Sequence, residues 1–135
     1  MNTTANRAFG QPQTRLVTGA ANLVEGRELN QPSDVAVDLS NKILYVADFG
    51  NNRVIRYRQP FNQPSDSILA DFVIGQTSVS GTSRSPNAGG RSAKSLYFSD
   101  GSAVSTVGMR FDSGGNLWIA DPGNSRVLRF PASVL

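Results

Sequence analysis

The 135 residues include 39% hydrophobic and 17% charged side chains, and eleven arginines and two lysines against ten acids give a formal charge of +3. That suffices for one ordinary domain with its own core, and a cationic excess this mild does not single out nucleic acid as a partner. Neither cysteine nor histidine occurs, which removes disulfides, zinc sites of the usual kind and imidazole catalysis from anything the chain does alone.

Along the chain, residues 1–13 read as a flexible lead-in without the apolar core of a leader peptide, and no run approaches transmembrane length. The residues present are expected to be soluble and not to insert in a membrane, and a leader preceding them would leave no trace here. Short apolar or β-branched runs bounded by Gly, Pro, Asn or Asp then predict strands at Arg15–Thr18, Asp34–Asp38, Ile43–Ala47 and Arg53–Tyr57. A second set falls at Phe72–Ile74, Val107–Phe111, Leu117–Ala120 and Arg126–Phe130. No stretch carries a helical period, so the chain is expected to be all-β. Leu44–Ala47 and Leu117–Ala120 are apolar at consecutive positions, which predicts that both faces of these strands are covered.

The two sets are copies. Ala47–Tyr57 and Ala120–Phe130 are identical at seven of eleven positions, which sets units at 14–66 and 67–131 and a tail at 132–135. The ruler also exposes what does not repeat. Gly75 to Asp112 spans 37 positions against 19 for Gly19 to Asp38, which assigns the extra residues to one long insertion at 76–105.

Laid out as ProSerAspValAlaValAsp, IleLeuTyrValAlaAspPheGlyAsnAsnArgValIleArgTyr, and again as GlyMetArgPheAsp, GlyAsnLeuTrpIleAlaAspProGlyAsnSerArgValLeuArgPhePro, the chain resembles the NHL repeats over about residues 14–131. The resemblance implies a β-propeller segment of two four-stranded antiparallel blades, part of a ring that commonly has six. The remaining blades of the same chain, or self-association, would then be needed to close the ring.

The recurring turn residues, Asp48, Gly50, Asn51 and Arg53 with Asp121, Gly123, Asn124 and Arg126, read as structural. The aspartate accepts backbone N–H groups, the glycine supplies a permissive dihedral, and the arginine lies within reach of the carboxylate. The departures carry the functional expectations. Asp34 stands where the second copy has Gly108, as a strand-end carboxylate or, alternatively, as one metal ligand among several. Arg110 replaces Ala36 and must reach a channel or a carboxylate. The insertion is rich in Ser, Gly, Asn and Pro and offers Arg84, Arg91 and Lys94 with the aromatic surface of Tyr97 and Phe98.

The reading is a binding scaffold engaging a protein or peptide at its rim loops, with RNA or polysaccharide as the second class of partner. No cofactor and no catalysis are expected from the residues. One alternative is a lyase or lactonase using calcium or another divalent metal in the channel of a complete propeller, and another is a structural module of a larger surface protein.

Overall fold

The computed structural model describes residues 7–10, 26–64, 68–79, 84–101 and 106–135. The strand expected at Arg15–Thr18 lies outside them. Sheet 1 has the order β1 (Pro32–Asp38), β2 (Ile43–Asp48), β3 (Arg53–Arg58), β4 (Phe72–Ile74), and sheet 2 the order β5 (Met109–Phe111), β6 (Leu117–Asp121), β7 (Arg126–Phe130). All neighbours within each sheet run antiparallel.

Two four-stranded blades are therefore not what the chain forms. Phe72–Ile74, counted with the second unit, pairs with β3 and completes sheet 1, so that among the described residues sheet 2 has three strands and no closed ring is seen. The physical reason is chain economy. After β3 the chain turns back through Ile68, which is buried on sheet 1, so β4 pairs with the strand it has just left.

Two aspartates per unit shape the turns. At the β1–β2 hairpin Asp38 accepts the N–H of Ser40 and of Asn41 at 3.0 and 3.1 Å and the Asn41 amide at 2.7 Å, which holds its carboxyl below the usual range. Asp112 caps the β5–β6 turn in the same way through Gly114 N–H and Asn116. Across the other end, β2 passes to β3 and β6 to β7 through single 3-10 turns, Phe49–Asn51 and Pro122–Asn124.

The main core lies between the sheets. Ala36, Tyr45, Ala47 and Val54 of sheet 1 belong to the same cluster as Met109, Leu117 and Ile119 of sheet 2, and the Tyr45 and Phe111 rings meet edge to face at 5.5 Å. Leu117 and Ile119 are fully buried, each contributing about 1.5–3 kcal/mol by leaving water. A second cluster of Val46, Ile55, Tyr57 and Ile68 covers the far face of sheet 1 beneath Phe9 and Leu29. Phe9 is held there by its neighbour Arg7, which donates to the carbonyls of Pro60 and Gln63.

The strand β2 is thus covered on both sides, whereas in β6 burial alternates and Trp118 is 42% exposed. The expectation of two covered faces fails for Leu117–Ala120 because nothing in the described residues stacks on the outer face of sheet 2.

Candidate functional site

The two 3-10 turns are built alike. Asp48 accepts the N–H of Asn30 at 2.6 Å, the Asn51 amide at 2.7 Å and Arg53 Nε at 2.6 Å, with Asp48, Asn51 and Arg53 themselves out of solvent. Burial pushes its carboxyl up, and the Arg53 guanidinium beside it, with the Asn51 and Asn30 donors, pulls against that. Arg53 also donates to the carbonyls of Val79 and Glu28, so its charge is spent inside the fold. Asp121 repeats the set, accepting Tyr97 N–H at 2.7 Å, the Asn124 amide at 2.8 Å and Arg126 Nε at 2.7 Å.

Gly50 and Gly123 do not supply a left-handed dihedral, since neither has a positive φ. That conformation falls two residues on, at Asn52 (φ 50°) and Ser125 (φ 52°). The glycines are required by close approach. A Cβ at Gly50 would strike the Asn30 side chain, and one at Gly123 would lie 2.5 Å from the Tyr97 carbonyl and ring. Each glycine N–H also donates to the carbonyl of the same neighbour, Asn30 or Tyr97, at 2.9 and 2.8 Å.

This pairing makes Tyr97 the counterpart of Asn30. Leu29 to Asp38 spans nine positions and Leu96 to Asp112 sixteen, so the extra length is divided between the segment before Leu96 and the one after Asp100.

The described parts of the segment from Gln76 to Asp100 are tied down at many points. Asn52 Oδ1 accepts the N–H of Phe98 and Ser99 at 2.7 and 2.8 Å, and its amide donates to the carbonyls of Arg84 and Ser99. Gln76 donates to the carbonyls of Asn51, Asn52 and Ser85. Asn87 and Asn124 exchange amide hydrogen bonds at 3.0 and 2.8 Å, and Arg126 donates to the carbonyls of Ser92 and Ser95.

Asn52, Gln76 and Asn87 organise this rim and were not singled out from sequence. A signal existed for Asn52, which stands where the second copy has Ser125. Phe98 is 2% exposed and belongs to the inter-sheet core, so its ring offers no surface to a partner. Its backbone is drawn inward by Asn52. Arg84, Arg91 and Lys94 are exposed, and Tyr97 is part-exposed with its hydroxyl donating to Asp100 at 3.0 Å, which raises its phenol pKa.

Asp34 and Arg110 lie at the seam between the sheets. The register slips by one residue between Pro32 and Asp34, and the Asp34 carboxylate accepts its neighbour Val35 N–H at 2.8 Å and the N–H of Met109 across the seam. Among the described residues no group of three or more acidic, histidine or cysteine side chains could hold a metal ion. Arg110 is exposed on the outer face of sheet 2, where it is the cross-strand partner of Trp118, itself paired with Arg129. The indole Nε1 donates to Asp112 at 2.8 Å, and the Arg129 guanidinium lies 6.0 Å from the ring centroid.

No helix among the described residues is long and apolar enough to cross a membrane. No curated protein matches the chain. Residues 29–57 match the family described as the NHL repeat, so β1, β2 and all but the last residue of β3 form an NHL-repeat segment within sheet 1.

Proposed function

We propose that this chain is a protein-interaction module of the NHL kind that binds an acidic protein or peptide along the rim formed by Gln76–Asp100 and the turns at Phe49–Asn52 and Pro122–Ser125. In this reading residues 107–131 form a second repeat, supported by seven identities in eleven positions and by the matching hydrogen bonds of Asp48 and Asp121. The observation that carries the binding role is the contrast within the rim. Among the described residues its backbone is held by Asn52, Gln76, Asn87 and Arg126, while Arg84, Arg91 and Lys94 are exposed. Backbone already held in place loses little conformational entropy on binding, and exposed cations attract anionic partners from a distance.

The test is binding of a peptide array graded in acidic content, at low and high salt, to the chain and to its Arg84→Ala, Arg91→Ala, Lys94→Ala triple variant. Acidic peptides are expected to be retained, and the triple variant to bind them more weakly with a flatter salt dependence. Equal retention by both chains at low salt overturns the reading. Preferential retention of an RNA homopolymer or an acidic polysaccharide by the same residues assigns the rim to that polymer instead.

A further inference from the structure

The end of sheet 1 opposite the rim carries a different surface. Val37, Leu44 and Tyr57 form one row across β1, β2 and β3. Tyr57 lies beneath Phe9, their ring centroids 5.5 Å apart, and the cover ends before β1, where Val37 is 50% exposed. Among the described residues this leaves an apolar groove of about 420 Å³, bounded by Phe9, Val37, Leu39, Leu44 and Phe61. Sites for small ligands commonly measure about 300–1,000 Å³.

The charge at this groove is of one sign. Lys42 is the only charged residue among the described ones that line it, and it is exposed. The Arg7 guanidinium stands 5.6 Å from the centroid of the Phe61 ring and donates to the carbonyls of Pro60 and Gln63, neutral groups that leave its charge in place. The acid nearest to Lys42 in sequence, Asp38, serves the turn donors Ser40 and Asn41 and lines a separate hollow with Tyr45 and Phe111.

Lys42 also occupies a strained position. Its φ is 57°, in the left-handed region where a Cβ crowds the backbone. Leu44 pairs with Tyr57 as Leu117 pairs with Phe130, so the residue two before each leucine matches Lys42 with Gly115, whose φ is 75°. The second copy meets this turn with glycine, which adopts it freely. The first copy meets it with a cation at the mouth of an apolar groove. The Lys42 carbonyl accepts the N–H of Gln59 at 2.9 Å, and Gln59 is left-handed as well, at φ 45°. Strain of this kind, at a turn that glycine satisfies, directs attention to what the side chain does beyond folding.

We propose that this groove binds a single-chain amphiphile with a carboxylate head, its alkyl chain against Val37, Leu44 and Phe61 and its carboxylate at Lys42. Burial of the chain supplies the affinity, and the ammonium selects the sign of the head group. The site is separate from the rim and shares none of its cations.

The test is titration calorimetry at low salt with decanoate, below its micellar range, and with uncharged decanol. Wild type is expected to take up one decanoate per chain and to bind decanol more weakly. Lys42→Gly removes the ammonium and the strain together. It is expected to bind decanoate about fivefold more weakly, to bind decanol unchanged, and to melt no lower than wild type. Leu39→Asp, at a position 84% exposed, brings a carboxylate to the groove and is expected to weaken decanoate at least as much while circular dichroism stays unchanged. A wild-type chain that binds neither compound overturns the proposal. Wild-type affinity for decanoate in either variant also overturns it. A clearly lower melting temperature in Lys42→Gly would assign the lysine to the fold and overturn it as well.

Discussion

Asp48 and Arg53 form an ion pair 2.6 Å apart with neither side chain accessible to solvent, while the matching pair, Asp121 and Arg126 at 2.7 Å, leaves the arginine 25% exposed. A buried carboxylate stripped of its cation keeps its desolvation penalty without compensation. Arg53→Ala is therefore expected to cost about 3–5 kcal/mol in denaturant unfolding, and Arg126→Ala about 1–2 kcal/mol. Equal losses at the two sites would show that burial does not distinguish the turns.

Asn52 makes four hydrogen bonds to the rim backbone and sits at φ 50°, a conformation asparagine and glycine tolerate. Asn52→Ala loses the bonds and adds strain, whereas Asn52→Gly loses the bonds alone. The expected cost is about 2–4 kcal/mol for alanine and somewhat less for glycine, measured by thermal unfolding. Both variants should also speed amide exchange at Phe98 and Ser99, whose N–H groups lose their acceptor. Unchanged protection there would mean that the rim is ordered by other contacts.

Tyr57 is 1% exposed, and its hydroxyl has no hydrogen-bond partner among the described residues. Burial pushes its phenol well above the ordinary range. Position 57 pairs with Leu44 as Phe130 pairs with Leu117, so the second copy already carries the ring without the oxygen. Tyr57→Phe is expected to stabilise the protein by about 1 kcal/mol, read as a higher melting temperature. A clear loss of stability would reveal a partner for the hydroxyl.

Asp112 gathers the Trp118 indole N–H and the donors of Asn116 and Gly114, which hold its carboxyl down at about 2 against an ordinary 3.8. A carboxylate with a depressed folded pKa contributes its stabilisation fully above the unfolded value and loses it as pH falls through the folded one. Trp118 emission is therefore expected to hold its neutral-pH wavelength through pH 3.8 and to change only near pH 2. The change should be absent in Asp112→Asn. A transition centred near the ordinary aspartate value would sink this account of the indole contact.

How much of the site was legible follows from the range of the forces involved. The strands at Ile43–Asp48, Arg53–Arg58, Phe72–Ile74, Leu117–Asp121 and Arg126–Phe130 fall within a residue of the expected positions. Alternation, β-branching and the Asp, Gly and Asn punctuation are local signals, and the turn ion pairs join residues five apart. The rim was only half legible. Its exposed cations could be read from composition, but the side chains that hold it reach over 20 positions or more, as Asn52 does to Phe98 and Asn87 to Asn124.

The sequence alone determined the all-β class, the turn positions and the repeat, because each rests on neighbours within one strand or hairpin. Only the tertiary structure decided that Phe72–Ile74 joins sheet 1, that Phe98 is buried, and that Gly50 and Gly123 answer to close approach instead of dihedral freedom. It also decided that nothing among the described residues covers the outer face of Trp118's sheet. These depend on which surfaces meet, and packing between distant segments leaves no period in the chain to be read.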